Sequence, residues 1–173
     1  MTNNELIAAE ASAARKTGDE GTSRQYLSFF LGGQEYATDI LRVQEIKGWD
    51  TVTRVPYSPN YILGVINLRG AIVPVVDPRV RFALESAPFD SATVVVVVRV
   101  AGPRGERIVG FVVDAVSDVY SFSAESIQPP PDAVGSVDQM FVLGLAKHED
   151  RLVIILDIER LVISSVSGDV KAA

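Results

Sequence analysis

The chain has 173 residues, 47% of them hydrophobic, a formal net charge of −6 at pH 7 and no cysteine. That is enough apolar chain for one compact unit or for two closely packed barrels of roughly 60 to 70 residues each, sizes that are marginal alone. The acidic balance offers no basic field to hold nucleic acid or anionic lipid, and the lack of cysteine removes disulfides, thiolate metal sites and a cysteine nucleophile and fits a reducing compartment.

Met1 to Ser23 is polar and lacks apolar periodicity, so a disordered tail is expected over residues 1–23. No run there is long enough for a signal peptide or a membrane span, which points to a cytoplasmic protein without membrane insertion. From Arg24 the composition turns to strand. Tyr26 to Leu31, a Gly32-Gly33 turn and Glu35 to Asp39 read as a hairpin. Leu41 to Ile46 alternates, with Leu41, Val43 and Glu45 on one face and Arg42, Gln44 and Ile46 on the other. Pro56 and Pro59 mark a loop. A hairpin over Gly64 to Val76 follows, and Asp77 and Pro78 read as the N-cap and first position of a short helix, Arg79 to Leu84. Glu85 to Ser91 is the natural seam between two halves. Beyond it, Thr93 to Val98 is apolar on both faces, either a central strand covered on both sides or one with a face committed to a partner. Ile108 to Val113 pairs back, Ala115 to Phe122 alternates again, and Gln128 to Asp132 is a stiff connector. A second hairpin precedes a short helix from Ile158, and residues 164–173 are expected to fray as a flexible C-terminus.

The two halves are copies. Gly64 to Asp77 and Gly144 to Asp157 align without a gap as glycine, strand, polar turn, β-branched strand and aspartate. Upstream, Arg24 to Asp39 corresponds to Ala92 to Asp114. An offset of about 75 to 80 residues with two copies is too long for a solenoid, whose periods run about 20 to 50. Two related β subdomains remain, within one body spanning residues 24–163.

Reactive chemistry is sparse. The lone histidine, His148, falls in the turn Lys147-His148-Glu149-Asp150 and reads as an exposed turn residue without the convergent partners of a triad or zinc site. No Walker loop, GxSxG elbow or HExxH is present, so no catalytic residue, metal or cofactor is assigned. The repeated Asp39, Asp77, Asp114 and Asp157 resemble paired acids, but Asp77 and Asp157 sit where helix caps are needed. Arg69 is different, because the turn Asn67-Leu68-Arg69-Gly70 does not need an arginine and the second copy carries Glu149 there. It is either a solvated turn residue or a specialised tip able to pair with a partner's carboxylate. The strand Leu41 to Ile46 is similarly open between an ordinary half-buried strand and an apolar strip bordered by Glu45, suited to receiving a helix.

Asp39 to Ile46, Gly64 to Gly70, Ile72 to Asp77 and Val112 to Val119 together resemble the CheW family of bacterial chemotaxis coupling proteins, over roughly Gln25 to Ile163. The resemblance implies an all-β fold of two packed five-stranded SH3-like barrels with short helices, intertwined in one domain. It also implies a non-enzymatic adaptor that joins the cytoplasmic hairpin tip of methyl-accepting chemoreceptors to the regulatory domain of the histidine kinase CheA, is recruited to receptor clusters and self-associates in arrays. Carried over by position, the receptor-facing groove would use Ile40, Val43, Glu45 and Ile46 from the first barrel, Val116 and Val119 from the second, and Arg69 at the hairpin tip. Val94 and its neighbour Val96 would face the kinase. A severed CheA regulatory domain or a CheV-like adaptor is the alternative within the class, and a small-molecule-binding or hydrolytic barrel is the alternative outside it. Pro78 stands where the family often has leucine, Gly102 to Gly105 lengthens a hairpin, and the N-terminal tail is long.

Overall fold

A computed structural model describes residues 23–85, 88–131 and 139–166. The expected tail, apart from Ser23, and the last residues 167–173 lie outside that set. The first half comprises β1 (Ser23–Leu31), β2 (Gln34–Asp39), a 3₁₀ turn (Ile40–Arg42), β3 (Val43–Gly48), β4 (Ile62–Leu68), β5 (Ala71–Val76) and α1 (Pro78–Arg81). The second comprises β6 (Val94–Gly102), β7 (Gly105–Val113), β8 (Ala115–Ser123), β9 (Ile127–Gln128), β10 (Val142–His148), β11 (Arg151–Leu156) and α2 (Ile158–Val166).

The strands form two sheets, and the copies trade hairpins to make them. One sheet runs β8-β1-β2-β11-β10-β9 and the other β3-β6-β7-β5-β4. Each therefore takes its leading hairpin from one copy and its remaining strands from the other, in the same order. Glu85 to Ser91 separates the copies in sequence but not the sheets, since β5 before it pairs with β7 after it. Both sheets close in the same way. Thr53, beyond β3, exchanges backbone hydrogen bonds of 2.9 and 2.8 Å with Val65 on β4, and β9, beyond β8, pairs with β10. That extra two-residue strand gives six strands where five were expected.

Closure explains the glycine that opens each copied hairpin. A Cβ on Gly64 would lie 2.3 Å from the Thr53 carbonyl oxygen, and one on Gly144 would lie 2.6 Å from that of Gln128. A side chain at either point would collide with the backbone that seals the barrel.

The apolar residues sort into three clusters. Tyr26, Ala37, Tyr120, Phe122, Ala146, Val153 and Ile155 fill the six-stranded barrel, and Leu68, Val73, Val75, Val95 and Val97 fill the five-stranded one. The largest cluster draws from both sheets, with Leu27, Phe29 and Leu31 of β1 meeting Val94, Val96 and Val98 of β6. The valine run is thus a central strand covered on both sides. Its alternate valines serve two cores, each contributing roughly 1.5 to 3 kcal/mol over the exposed state.

Buried charge ties the elements together. Asp77 caps α1 through the Arg79 amide at 3.0 Å, as its position in sequence suggested, and also holds the Arg79 guanidinium through Nε at 3.0 Å and Nη2 at 3.1 Å. Asp114, at the end of β7, accepts from Arg79 Nη1 at 2.9 Å and from the Gly32 amide at 2.8 Å. Burial by itself would lower the Arg79 pKa, but the hydrogen bonds and charges of Asp77 and Asp114 outweigh it and hold the group above its usual value.

Two helical expectations shift. The first helix is one turn, Pro78–Arg81, because Ala83 turns to a left-handed φ of 57°. The last runs through Val166 and buries Ser165, whose hydroxyl donates to the Leu161 carbonyl at 2.8 Å, so 164–166 are helical rather than frayed.

Candidate functional site

The 3₁₀ turn Ile40–Arg42 carries the chain from β2 in one sheet to β3 in the other. Asp39 organises it by accepting from the Leu41 amide at 2.9 Å. Strand β3 lies at one edge of the five-stranded sheet and β8 at one edge of the six-stranded sheet. Ile40, Val43 and Val116 are buried in the shared cluster, and Ile46 and Val119 pack against it while remaining partly exposed. The structure thus packs both predicted sets against the one cluster that joins the barrels. It makes Ile40, Val43 and Val116 the foundation and leaves Ile46 and Val119 to form the accessible apolar surface.

The alternation read across Leu41 to Ile46 does not survive intact. Leu41 belongs to the turn and is exposed. A register shift between Val43 and Glu45 then resets the strand, so that Val43 opposes Val98 while Glu45 opposes Val97. A bulge of this kind re-aims a side chain, and here it moves Glu45 off the core face occupied by Val43.

Glu45 meets Arg69. Arg69 Nη1 lies 2.9 Å from Glu45 Oε2, although that oxygen has no aligned hydrogen-bond donor, so the contact is a charge pair. Arg69 sits at the tip between β4 and β5, where Asn67 Oδ1 accepts from the Gly70 amide at 2.8 Å. Its φ is 52°, and Glu149 at the matching tip has 55°. Arginine at a left-handed position costs roughly 1 to 2 kcal/mol. With its side chain 76% exposed, the ion pair returns about 1 kcal/mol at most. Stability alone therefore does not account for arginine at this tip.

Val94 and Val96, expected on the kinase-facing side, are completely buried. Strand β6 is paired on one edge with β3 and on the other with β7, and both its faces are covered. Neither valine can touch a partner in this structure. The strand's composition left both positions open, and only the packing of the second sheet closes them.

His148 also departs from its expected exposure. It ends β10, is partly buried, and stacks on Tyr120 at 3.9 Å between ring centroids. Tyr120 donates to the buried Glu35 carboxylate at 2.7 Å, Ser28 donates to the same oxygen, and Arg151 Nη1 stands 3.5 Å from the other. Burial raises the Tyr120 pKa; the Ser117 hydrogen bond opposes this and Glu35 reinforces it. By strand register, Ser28 and Glu35 match Val95 and Gly110 in the other barrel, so this polar interior belongs to one copy alone. Among the described residues no group of three or more His, Cys, Asp or Glu could hold a metal ion, and no helix is long and apolar enough to cross a membrane.

Residues 25–166 match the CheW-like domain family. The chain is a member of the CheW family. It is 44% identical over 156 residues to the chemotaxis protein CheW of Klebsiella aerogenes, covering 90% of this chain and 92% of the relative. It is 36% identical over 150 residues to a probable chemotaxis protein CheW of Rhizobium etli, covering 87% and 94%. Among solved structures, the scaffolding protein TtCheW of Thermoanaerobacter tengcongensis superposes with a TM-score of 0.73 at 32% identity, covering 82% of this chain and 89% of that one. The CheW fold thus agrees with the paired sheets and the copied hairpins.

Proposed function

We propose that this CheW-family chain is a non-enzymatic chemotaxis scaffold that couples methyl-accepting chemoreceptors to the kinase CheA in receptor clusters. The names borne by relatives matched along nearly their whole length support the scaffold role. The observation that carries the receptor-facing part is the seam between barrels. Ile46 and Val119 offer partly exposed apolar surface over a fully packed floor, and the Glu45–Arg69 pair stands at β3. An amphipathic helix docks by laying its apolar face into such a groove.

The geometry also suggests how a protein without chemistry passes on a signal. A coupler transmits only if two receptor states differ in their contact energy with it or with the kinase it holds. Arg69 is exposed while the Glu45 oxygen it faces is buried, so an incoming carboxylate shares the Arg69 guanidinium with Glu45 and does not displace it. Lattice contacts then multiply weak individual interfaces through effective concentration.

Arg69→Glu tests this reading in a reconstituted receptor–kinase assay. The variant is expected to lose receptor control of phosphorylation while its melting temperature stays within roughly 4 °C of the parent, since the pair contributes about 1 kcal/mol at most. Full receptor control by the variant would refute the assignment.

A further inference from the structure

We propose that Glu35 and Tyr120 are positioning residues for the receptor-facing surface. Inside the six-stranded barrel they hold the bulge in β8 that turns Val119 to the same side as Val116, a role that rests on the receptor reading of that surface. Val116 and Val119 are three residues apart, a spacing that puts side chains on opposite faces of a regular strand. Both nevertheless meet the cluster shared by the two barrels, Val116 within it and Val119 packed against it. The reason is a register shift. Phe29 of β1 opposes Val116 and Leu27 opposes Val119, so Ser117 and Asp118 together span what Ser28 spans alone. An extra residue of this kind disrupts the ladder locally. Strand β8 lies at the edge of its sheet and, among the described strands, pairs only with β1. No second neighbour fixes the bulge, and a slip by one residue would send Val119 to the opposite face.

The clasp comes from within the barrel. Ser28, the β1 residue opposite the bulge, and Tyr120, the residue after Val119, both donate to Glu35 Oε1, Tyr120 at 2.7 Å. All three side chains are buried. Arg151 closes the group by donating from Nη2 to the Tyr120 hydroxyl at 3.3 Å, with Nη1 3.5 Å from Glu35 Oε2, and the His148 ring stacks on Tyr120 at 3.9 Å. Stability does not call for a carboxylate here. The matching positions in the other barrel are Val95 and Gly110, and apolar groups of similar volume often replace a buried charged cluster without loss. What the carboxylate adds is register, because one oxygen ties β1, β2 and β8 together. Strand β3 shows the same need. Val43 and Ile46 also lie three residues apart and also meet the shared cluster, again across a register shift, with Gln44 as the extra residue. There Gln44 Oε1 accepts from Arg99 Nε at 3.2 Å and Nη2 at 3.0 Å, and Arg99 belongs to the paired strand β6. Each strand that carries the groove thus has a bulge, and each bulge has a side-chain clasp, on the surface in one barrel and in the interior of the other.

The test measures amide hydrogen exchange, melting temperature and binding of a soluble receptor hairpin, all on the full chain. Tyr120→Phe keeps the ring and removes one hydroxyl. The amides of Val116 to Val119 are expected to exchange roughly tenfold faster, the loss of one charge-assisted hydrogen bond, while those of Val43 to Ile46 stay unchanged. The hairpin is expected to bind roughly fivefold more weakly as the bulged register loses population. A combined Ser28→Ala, Glu35→Leu and Tyr120→Phe variant replaces the whole cluster by apolar groups. It is expected to melt at or above the temperature of the parent and yet to bind at least as weakly as Tyr120→Phe, whereas a role in stability alone would leave its binding intact. Parental exchange at Val116 to Val119 in Tyr120→Phe, parental hairpin affinity in either folded variant, or a combined variant that melts well below the parent would each overturn the proposal. A parent chain that fails to bind the hairpin would instead sink the receptor reading, and the exchange rates would still decide whether the clasp holds the bulge.

Discussion

Removing Asp114 cuts a junction through which three elements are held. Its carboxylate accepts from Arg79 Nη1 at 2.9 Å and from the Gly32 amide at 2.8 Å, so Asp114→Ala breaks the tie between the end of β7, helix α1 and the β1–β2 turn. Breaking a fully buried ion pair by deleting one partner costs about 3 to 5 kcal/mol. Two features reduce that here: Asp114 is 23% exposed at its side chain, and Arg79 keeps both contacts with Asp77. What remains is one charge-assisted bond, about 1.5 to 3 kcal/mol, and one neutral bond, about 0.5 to 1.5 kcal/mol. We expect Asp114→Ala to destabilise the chain by roughly 2 to 4 kcal/mol. Asp114→Asn keeps an acceptor for Gly32 and is expected to fall below that range. Urea unfolding followed by the fluorescence of Trp49, the single tryptophan, measures both, because Trp49 packs against the five-stranded core. An alanine variant within about 0.5 kcal/mol of the parent, the usual spread of neutral surface changes, would refute the idea that this network holds the two copies together.

Val43→Asp places a carboxylate where the side chain is 2% exposed, and a thermal scan is expected to show a loss of roughly 4 kcal/mol or more. Ile46→Asp, on the partly exposed side of the seam, is expected to keep the fold and weaken receptor-hairpin binding by about 2 kcal/mol in a titration; equal affinity would count against the groove. Tyr36, whose pKa burial pushes up to about 12, predicts alkaline weakening. The hydroxyl ionises first in the unfolded chain, so its contribution is complete below pH 10 and is lost between about pH 10 and 12, roughly 3 kcal/mol in all. Denaturant midpoints measured across that range check this, and Tyr36→Phe is expected to remove this part of the loss.

The duplicated hairpins, the strands around Gly32 and Gly64, and the cap at Asp77 were legible in sequence because each rests on local chemistry. A two-residue period marks a strand, a left-handed turn favours glycine, and an aspartate before proline satisfies helix amides. The tips were legible in part. Arg69 stood out because the matching residue is Glu149, yet its pairing with Glu45 depends on a bulge in β3 that the alternation of Leu41 to Ile46 did not reveal.

What the sequence by itself determined is the repeating unit and the places where each strand begins and turns. Tertiary structure decided which copy each hairpin serves, because the hydrogen-bonding edge of a strand is the same whichever neighbour it meets and only packing of the whole chain selects the partner. The same physics moved Val94 and Val96 inside. A strand apolar on both faces fits a partner surface as well as a core, and here the packing against β1 and the five-stranded interior claimed both faces.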